Sequence, residues 1–155
     1  TQLPLDVHLM IEEPIRDLEE YRKAGADWIT VHVEACRDVT ATLKRVRALG
    51  AQVGISLRPK TELSLLDPYL KLVDLVLVMT VEPGFCGQEF MHGMLEKVRA
   101  LRSRFSGLIY VDGGINLETG RLASLEGADV FVAGSAIFSQ ADRKTYIDQL
   151  RRSIS

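Results

Sequence analysis

Ala24-Gly25-Ala26-Asp27-Trp28-Ile29-Thr30-Val31-His32-Val33-Glu34-Ala35, read as AGADWITVHVEA, decides the fold. A glycine sits where a helix needs a left-handed terminal residue, and an almost wholly apolar, β-branched run follows at once. The same join recurs: LGAQ at Leu49 to Gln52 leads into VGISLRP, and EGAD at Glu126 to Asp129 leads into VFVAGSAI. Working outward, strand-like runs start near Leu5, Trp28, Gln52, Leu75, Leu108 and Val130. Each is followed by a stretch with helical periodicity, so one βα unit repeats about every two dozen residues. The helices also have legible beginnings. Pro14 suits a first helical position, and Asp38, Asn116 and Asp142 suit N-caps.

Strands that alternate with helices and are nearly continuously apolar predict a parallel sheet covered by helices. A doubly wound sheet and a barrel both satisfy that pattern. The strand ends favour the barrel, because the barrel gathers its chemistry at the C-terminal rim. There the sequence puts His8 and Met10, His32 and Glu34, Ser56 and Arg58, Met79 and Thr80, Asp112, and Gly134-Ser135. The expectation is an α/β fold, a (β/α)8 TIM barrel of which residues 1–155 supply one domain with six of the eight βα units. A chain that lacks an initiator Met and enters directly into the strand-like Leu5 to Met10 reads as starting partway through a longer protein.

Composition narrows the function classes. With 155 residues, 46% hydrophobic and 26% charged, the chain has the material for a substantial core. A net charge of -2 supplies no positive field for nucleic acid, and the basic runs near Lys44 and Arg99 fall at the spacing of a solvated helix face. Two cysteines, Cys36 and Cys86, form no C-x-x-C pair, which argues against a disulfide framework or thiolate zinc site and suits a reducing cytoplasm. No apolar stretch reaches membrane-spanning length, so neither nucleic acid nor a membrane is an expected partner.

Candidate chemistry lies in the strand-end loops. Leu75 to Val78 drops into MTVEPGFCGQEF, Met79 to Phe90, where Gly84 and Gly87 let backbone amides approach an anion. Gly113, Gly114, Gly134 and Ser135 join that loop as residues that could surround one phosphate, with no Lys or Arg among them. His8 alone reads as an interior histidine, and a lone Asp-Gly-Gly at Asp112 reads as a turn. Together, an imidazole and a carboxylate at two strand rims suit a divalent metal or an acid/base pair.

Five motifs then occur in order: DVHLM from Asp6, TVHVEA from Thr30, MTVEPGFCGQEF from Met79, VDGGIN from Val111 and AGSAIF from Ala133. Together they resemble ribulose-phosphate 3-epimerases over nearly the whole chain, with ketohexose-phosphate epimerases the nearest competitor. The resemblance implies an isomerase of carbohydrate metabolism that interconverts ribulose 5-phosphate and xylulose 5-phosphate in the pentose phosphate pathway. It also implies a cytoplasmic setting and one divalent ion, for which zinc, ferrous iron, manganese and cobalt suit the ligands equally. His8 and Asp112 would be ligands and Asp112 also an acid/base carboxylate. Met10 and Met79 would line the reacting carbon, Gly84, Phe85, Cys86 and Gly87 would cover the substrate, and Gly113, Gly114, Gly134 and Ser135 would hold its phosphate. His32 carries no catalytic assignment and reads as a buried hydrogen-bonding group, and His92 reads as a surface residue.

Two departures from the family pattern stand out. Cys86 occupies a position where that family usually has glycine, so a Cβ and a thiol enter the covering loop. The family's earlier units bring a substrate-contacting Ser, a second His ligand and an Asp that is both ligand and second acid/base group, and none precedes His8 here. The expectation is that these residues alone bind metal weakly and do not epimerise, and that an open barrel favours association with a second copy. A non-catalytic phosphate-binding fragment is the alternative reading.

Overall fold

The computed structural model describes residues 1–84 and 87–155. Six strands form where the apolar runs start: β1 (Asp6–Leu9), β2 (Trp28–His32), β3 (Gln52–Leu57), β4 (Leu75–Met79), β5 (Leu108–Asp112) and β6 (Val130–Val132). The helices are α1 (Leu18–Lys23), α2 (Val39–Ala48), α3 (Met94–Arg102), α4 (Leu117–Leu125), α5 (Ser135–Phe138) and α6 (Arg143–Ser153). The strands lie in one sheet in chain order. A doubly wound sheet reverses its order at a switch point; this one does not, which selects the barrel class.

The chain divides into two compact units, one of Thr1–Leu57 with Thr61–Leu77 and one of Arg58–Lys60 with Val78–Ser155. In the first, β1 and β3 flank β2 in parallel, with His8 opposite Thr30 and His32 opposite Ser56. That register carries His8, Thr30, His32, Gly54 and Ser56 on one face. α2 buries Val39, Thr42, Leu43 and Val46, the i, i+3, i+4, i+7 stripe that its sequence predicts. Full burial of a side chain such as Leu43 is worth about 1.5–3 kcal/mol. In the second unit β5 and β6 pair in parallel, and Val98, Leu101, Ile109, Val111 and Ala123 are fully buried.

One device recurs at the strand starts. Asp74 donates its amide to the Val53 carbonyl (2.8 Å) while its carboxylate accepts the Val53 amide (2.7 Å), closing a reciprocal pair. Asp129 does the same with Ile109, and Asp27 with Leu5. Arg47 of α2 clamps Asp74 with two hydrogen bonds, and Arg102 of α3 bonds Asp129. A carboxylate bound to a guanidinium makes a strong, oriented acceptor for a buried amide.

Gly25, Gly50 and Gly127 all have positive φ just beyond helix ends, as the repeats predict. Asp38 and Asp142 accept from backbone amides of Ala41 and Thr145, and Asn116 forms a capping box with Thr119. The third unit departs from the expected pattern. Between β3 and β4 the chain makes only a 3-10 turn, Leu63–Leu66, in place of an α-helix. Pro68, falling within any helix begun at Leu63, offers no N–H to the Ser64 carbonyl and stops propagation.

The α6 cap supplies a pH prediction. Hydrogen bonds from the Thr145 hydroxyl and then its amide hold Asp142 below the ordinary carboxylate range. A lowered folded-state pKa contributes stability above the unfolded value, and that contribution disappears as pH falls through the folded value. The difference in melting temperature between the native protein and Asp142→Ala should therefore be present at pH 7 and shrink on acidification, as thermal unfolding followed by circular dichroism would show.

Candidate active site

In the first unit the polar strand ends converge. His8 is half-buried and His32 is 2% exposed, and their Nε2 atoms lie 2.8 Å apart. Glu34, in the 3-10 turn Val33–Ala35 that follows β2, brings its Oε2 to 3.3 Å from His32 Nδ1. The Ser56 hydroxyl lies 3.5 Å from the same nitrogen, and the Thr61 hydroxyl donates to the other Glu34 oxygen. Tight β2–β3 packing supports this row, since a Cβ on Gly54 would stand 2.1 Å from Thr30 Oγ1. Met10, two residues beyond His8, is 57% exposed.

The second unit holds the remaining predicted groups. Met79 is buried at the end of β4, and Asp112 is half-buried at the end of β5. The Thr80 amide donates to the Asp112 carbonyl (2.8 Å) and the Thr80 hydroxyl to the Gly113 carbonyl (2.6 Å), fixing the backbone on both sides of the Asp-Gly bond. Gly113 (φ 120°) and Gly114 (φ 65°) are both left-handed. A Cβ on Gly113 would meet Val81 at 2.4 Å, and one on Gly114 would meet the Phe90 backbone nitrogen at 2.8 Å. Only glycine fits either place.

Beside them opens a cleft of about 570 Å³, lined by residues that include Gly87, Gln88, Phe90, Gly114, Asn116 and Ser135. Among the described residues its lining has Glu89, Glu118 and His92 but no Lys or Arg. Backbone amides are one source of anion contacts here, since a helix start such as that of α5 at Ser135 presents first-turn amides without intrahelical acceptors, and His92 adds an imidazole to the lining. The first amides of α4 are already engaged by the Asn116 side chain.

Of the predicted phosphate residues, Gly87, Gly114 and Ser135 line this cleft, whereas Gly84, Gly113 and Gly134 do not. Phe85 and Cys86 lie outside the described residues. His32 is the buried hydrogen-bonding histidine that its sequence suggested, and His92 is exposed, in edge contact with Phe90. Sequence reasoning missed the Thr80 contacts, the coupling of Glu34 to His32, and Gln88 in the cleft. Among the described residues, no three His, Cys, Asp or Glu side chains are grouped to hold a metal ion. No helix among the described residues is long and apolar enough to cross a membrane.

Cys36 lies near the first cluster and donates its thiol to the His32 carbonyl (3.3 Å). Burial pushes this thiol up, a Thr42 hydrogen bond opposes the shift, and the carboxylates of Glu13 and Glu34 add to it. The thiolate is the nucleophile, so Cys36 should alkylate with iodoacetamide more slowly than free cysteine at pH 8. Mass spectrometry on a Cys86→Ser background would measure this.

A parallel sheet in chain order, with helices between its strands, defines the TIM-barrel class of fold. Residues 1–138 match the family described as "Ribulose-phosphate 3 epimerase family", and the chain belongs to that family of isomerases. It is 44% identical to ribulose-phosphate 3-epimerase of Bacillus subtilis, over 99% of this chain and 73% of the relative. Identity to the enzyme of the same name from Methanocaldococcus jannaschii is 43%, over 99% of this chain and 67% of that one. The cytoplasmic isoform of Oryza sativa subsp. japonica is 45% identical, with 99% and 70% covered. Among solved structures, KGPDC from Streptococcus mutans aligns with TM-score 0.77 at 15% identity, covering 99% of this chain and 72% of that one. 3-Hexulose-6-phosphate synthase from Salmonella typhimurium aligns with TM-score 0.72 at 21% identity, covering 96% and 72%. At such identities the two structures show a shared fold.

Proposed function

We propose that the protein interconverts D-ribulose 5-phosphate and D-xylulose 5-phosphate by moving a proton at C3, in the cytoplasm and as a step of the pentose phosphate pathway. The observation that carries this reading is the fixed Asp112-Gly113-Gly114 segment, a carboxylate at a strand end whose backbone leads directly into a glycine-lined cleft. Asp112 removes or returns the proton on one face of the sugar, and inversion requires a second carboxylate on the other face. Phosphate held by Gly113, Gly114, Gly134 and Ser135 keeps C3 in register with Asp112. Met79 and Met10 supply an apolar wall that excludes water and offers no competing base. Gly84, Phe85, Cys86 and Gly87 cover the substrate.

His8 and Asp112 would hold a divalent ion together with the further donors that the resemblance implies. One imidazole and one carboxylate suit zinc, ferrous iron, manganese or cobalt, and His8 is already oriented through its second nitrogen, as ligating histidines are. When bound, such an ion supplies charge stabilisation to the oxygens next to the reacting carbon. The remaining donors and the second carboxylate are those that the resemblance puts ahead of His8, so the assayed protein must carry them. That protein should convert ribulose 5-phosphate to xylulose 5-phosphate, lose turnover on treatment with EDTA and regain it with added cobalt or manganese. A protein that turns over ketohexose 6-phosphate and leaves ribulose 5-phosphate unchanged would instead be the related hexulose enzyme.

A further inference from the structure

We propose that Glu13 is a positioning residue: tied to the turn that follows β2, it fixes where Met10 stands against the reacting carbon. The role of Met10 rests on the functional reading above; the tie between the two loops does not. Among the described residues Glu13 is the one non-glycine residue with positive φ, at φ 50° and ψ 55°. Left-handed backbone is disfavoured for a residue with a Cβ, and the following Pro14 pushes Glu13 toward the extended region. Such a conformation persists only where its surroundings over-determine it.

Two hydrogen bonds supply that determination. The Glu13 amide donates to the Ala35 carbonyl (2.9 Å), and the Arg37 amide donates to Glu13 Oε1 (2.7 Å). One residue therefore joins the loop after β1 to the loop after β2 through both its backbone and its side chain. The acceptor is a carboxylate, which makes the bond from the Arg37 amide stronger than one between neutral groups. The Arg37 guanidinium adds little, because its Nε lies 3.7 Å from Oε1 and the side chain is 81% exposed. Upstream, Leu9 is buried and pairs with Val31 at the last step of the β1–β2 ladder. Only Met10, Ile11 and Glu12 separate that anchor from Glu13. Met10 is exposed, so core packing does not hold it, and its placement falls to the anchors on either side. An extended Glu13 would change the path of Met10 to Glu12 relative to the buried Pro14.

The test compares Glu13→Ala, Glu13→Gln and Arg37→Ala with the native protein, each carrying the donors ahead of His8. Hydrogen exchange at the Arg37 amide should be slower in the native protein than in Glu13→Ala, and Glu13→Gln, whose amide oxygen still accepts, should restore the protection. Arg37→Ala keeps the backbone donor and should match the native protein in the remaining measurements. The ¹³C-methyl resonance of Met10 should shift or broaden in Glu13→Ala and return toward its native form in Glu13→Gln. With ribulose 5-phosphate, kcat of Glu13→Ala per folded molecule should fall about 10–100-fold with KM little changed, because Met10 is placed at the reacting carbon and not at the phosphate. An unaltered Met10 resonance in a Glu13→Ala protein that has lost protection at Arg37 overturns the positioning role. So does a lowered melting temperature with native kcat, the mark of a tie that only stabilises. If Glu13→Ala does not fold, Glu13→Gly, which accepts a φ of 50° without strain, carries the same comparison. Native protein that leaves ribulose 5-phosphate unchanged overturns the functional reading, and the exchange and methyl measurements then decide the tie by themselves.

Discussion

Replacing Asp112 with Asn should reduce interconversion of the two pentulose phosphates by about 10³-fold or more, a loss typical of removing a positioned acid/base group. The amide is nearly isosteric, and the backbone bonds from Thr80 to the Asp112 and Gly113 carbonyls do not depend on the side chain. The fold should therefore survive while the proton transfer fails. If Asp112 is also a cation donor, Asp112→Asn will bind cobalt more weakly, whereas a purely acid/base role leaves affinity unchanged. Steady-state rates with added metal, measured beside a cobalt titration, separate the two contributions. Near-native turnover by this variant would remove Asp112 from the chemistry.

The second large effect is structural. Gly114→Ala should destabilise the protein by about 2–5 kcal/mol, because two costs coincide. Its φ of 65° lies where an alanine is strained, and the new Cβ would stand 2.8 Å from the Phe90 backbone nitrogen and 2.9 Å from its Cα. Both colliding atoms belong to backbone, so no side-chain rotation relieves the contact. Relief requires displacement of the segment that also lines the cleft, so weaker substrate binding should accompany the lower melting temperature. Gly50→Ala is the control: its φ is 78°, yet nothing lies within 4 Å of the added Cβ, so strain alone acts there. A Gly114→Ala protein no less stable than Gly50→Ala would show that the close approach is unimportant.

The reach of sequence reasoning follows how local each signal is. Strand starts at Trp28, Gln52, Leu75, Leu108 and Val130 are legible because apolar runs and terminal glycines act within a few residues. The caps at Asp38, Asn116 and Asp142 are legible for the same reason. The region between β3 and β4 misled because its leucines have helical spacing, while Pro68 makes the α-helix unsustainable. The reciprocal Asp pairs were hidden. Asp27 and Asp129 stand in the repeated motif, but Asp74 follows Leu72-Val73 with no glycine, and each partner strand lies some 20 residues away.

The site divides the same way. Gly113 and Gly114 announce themselves as a dipeptide, and their left-handed geometry gives a reason for glycine that the phosphate reading did not use. His32 was legible as buried, but its link to His8 depends on strand register that puts residues 24 apart side by side. A shift of one residue in that register would turn His32 to the opposite face, so no one-dimensional pattern could reveal the contact.

Solvent exchange at C3 tests proton transfer by Asp112 most directly. In deuterium oxide, with manganese or cobalt present, the protein carrying the donors ahead of His8 should place deuterium at C3 of ribulose 5-phosphate as xylulose 5-phosphate forms, with Asp112→Asn suppressing both together. Retention of the C3 proton in recovered substrate and product, by a folded and metal-loaded protein, would contradict it.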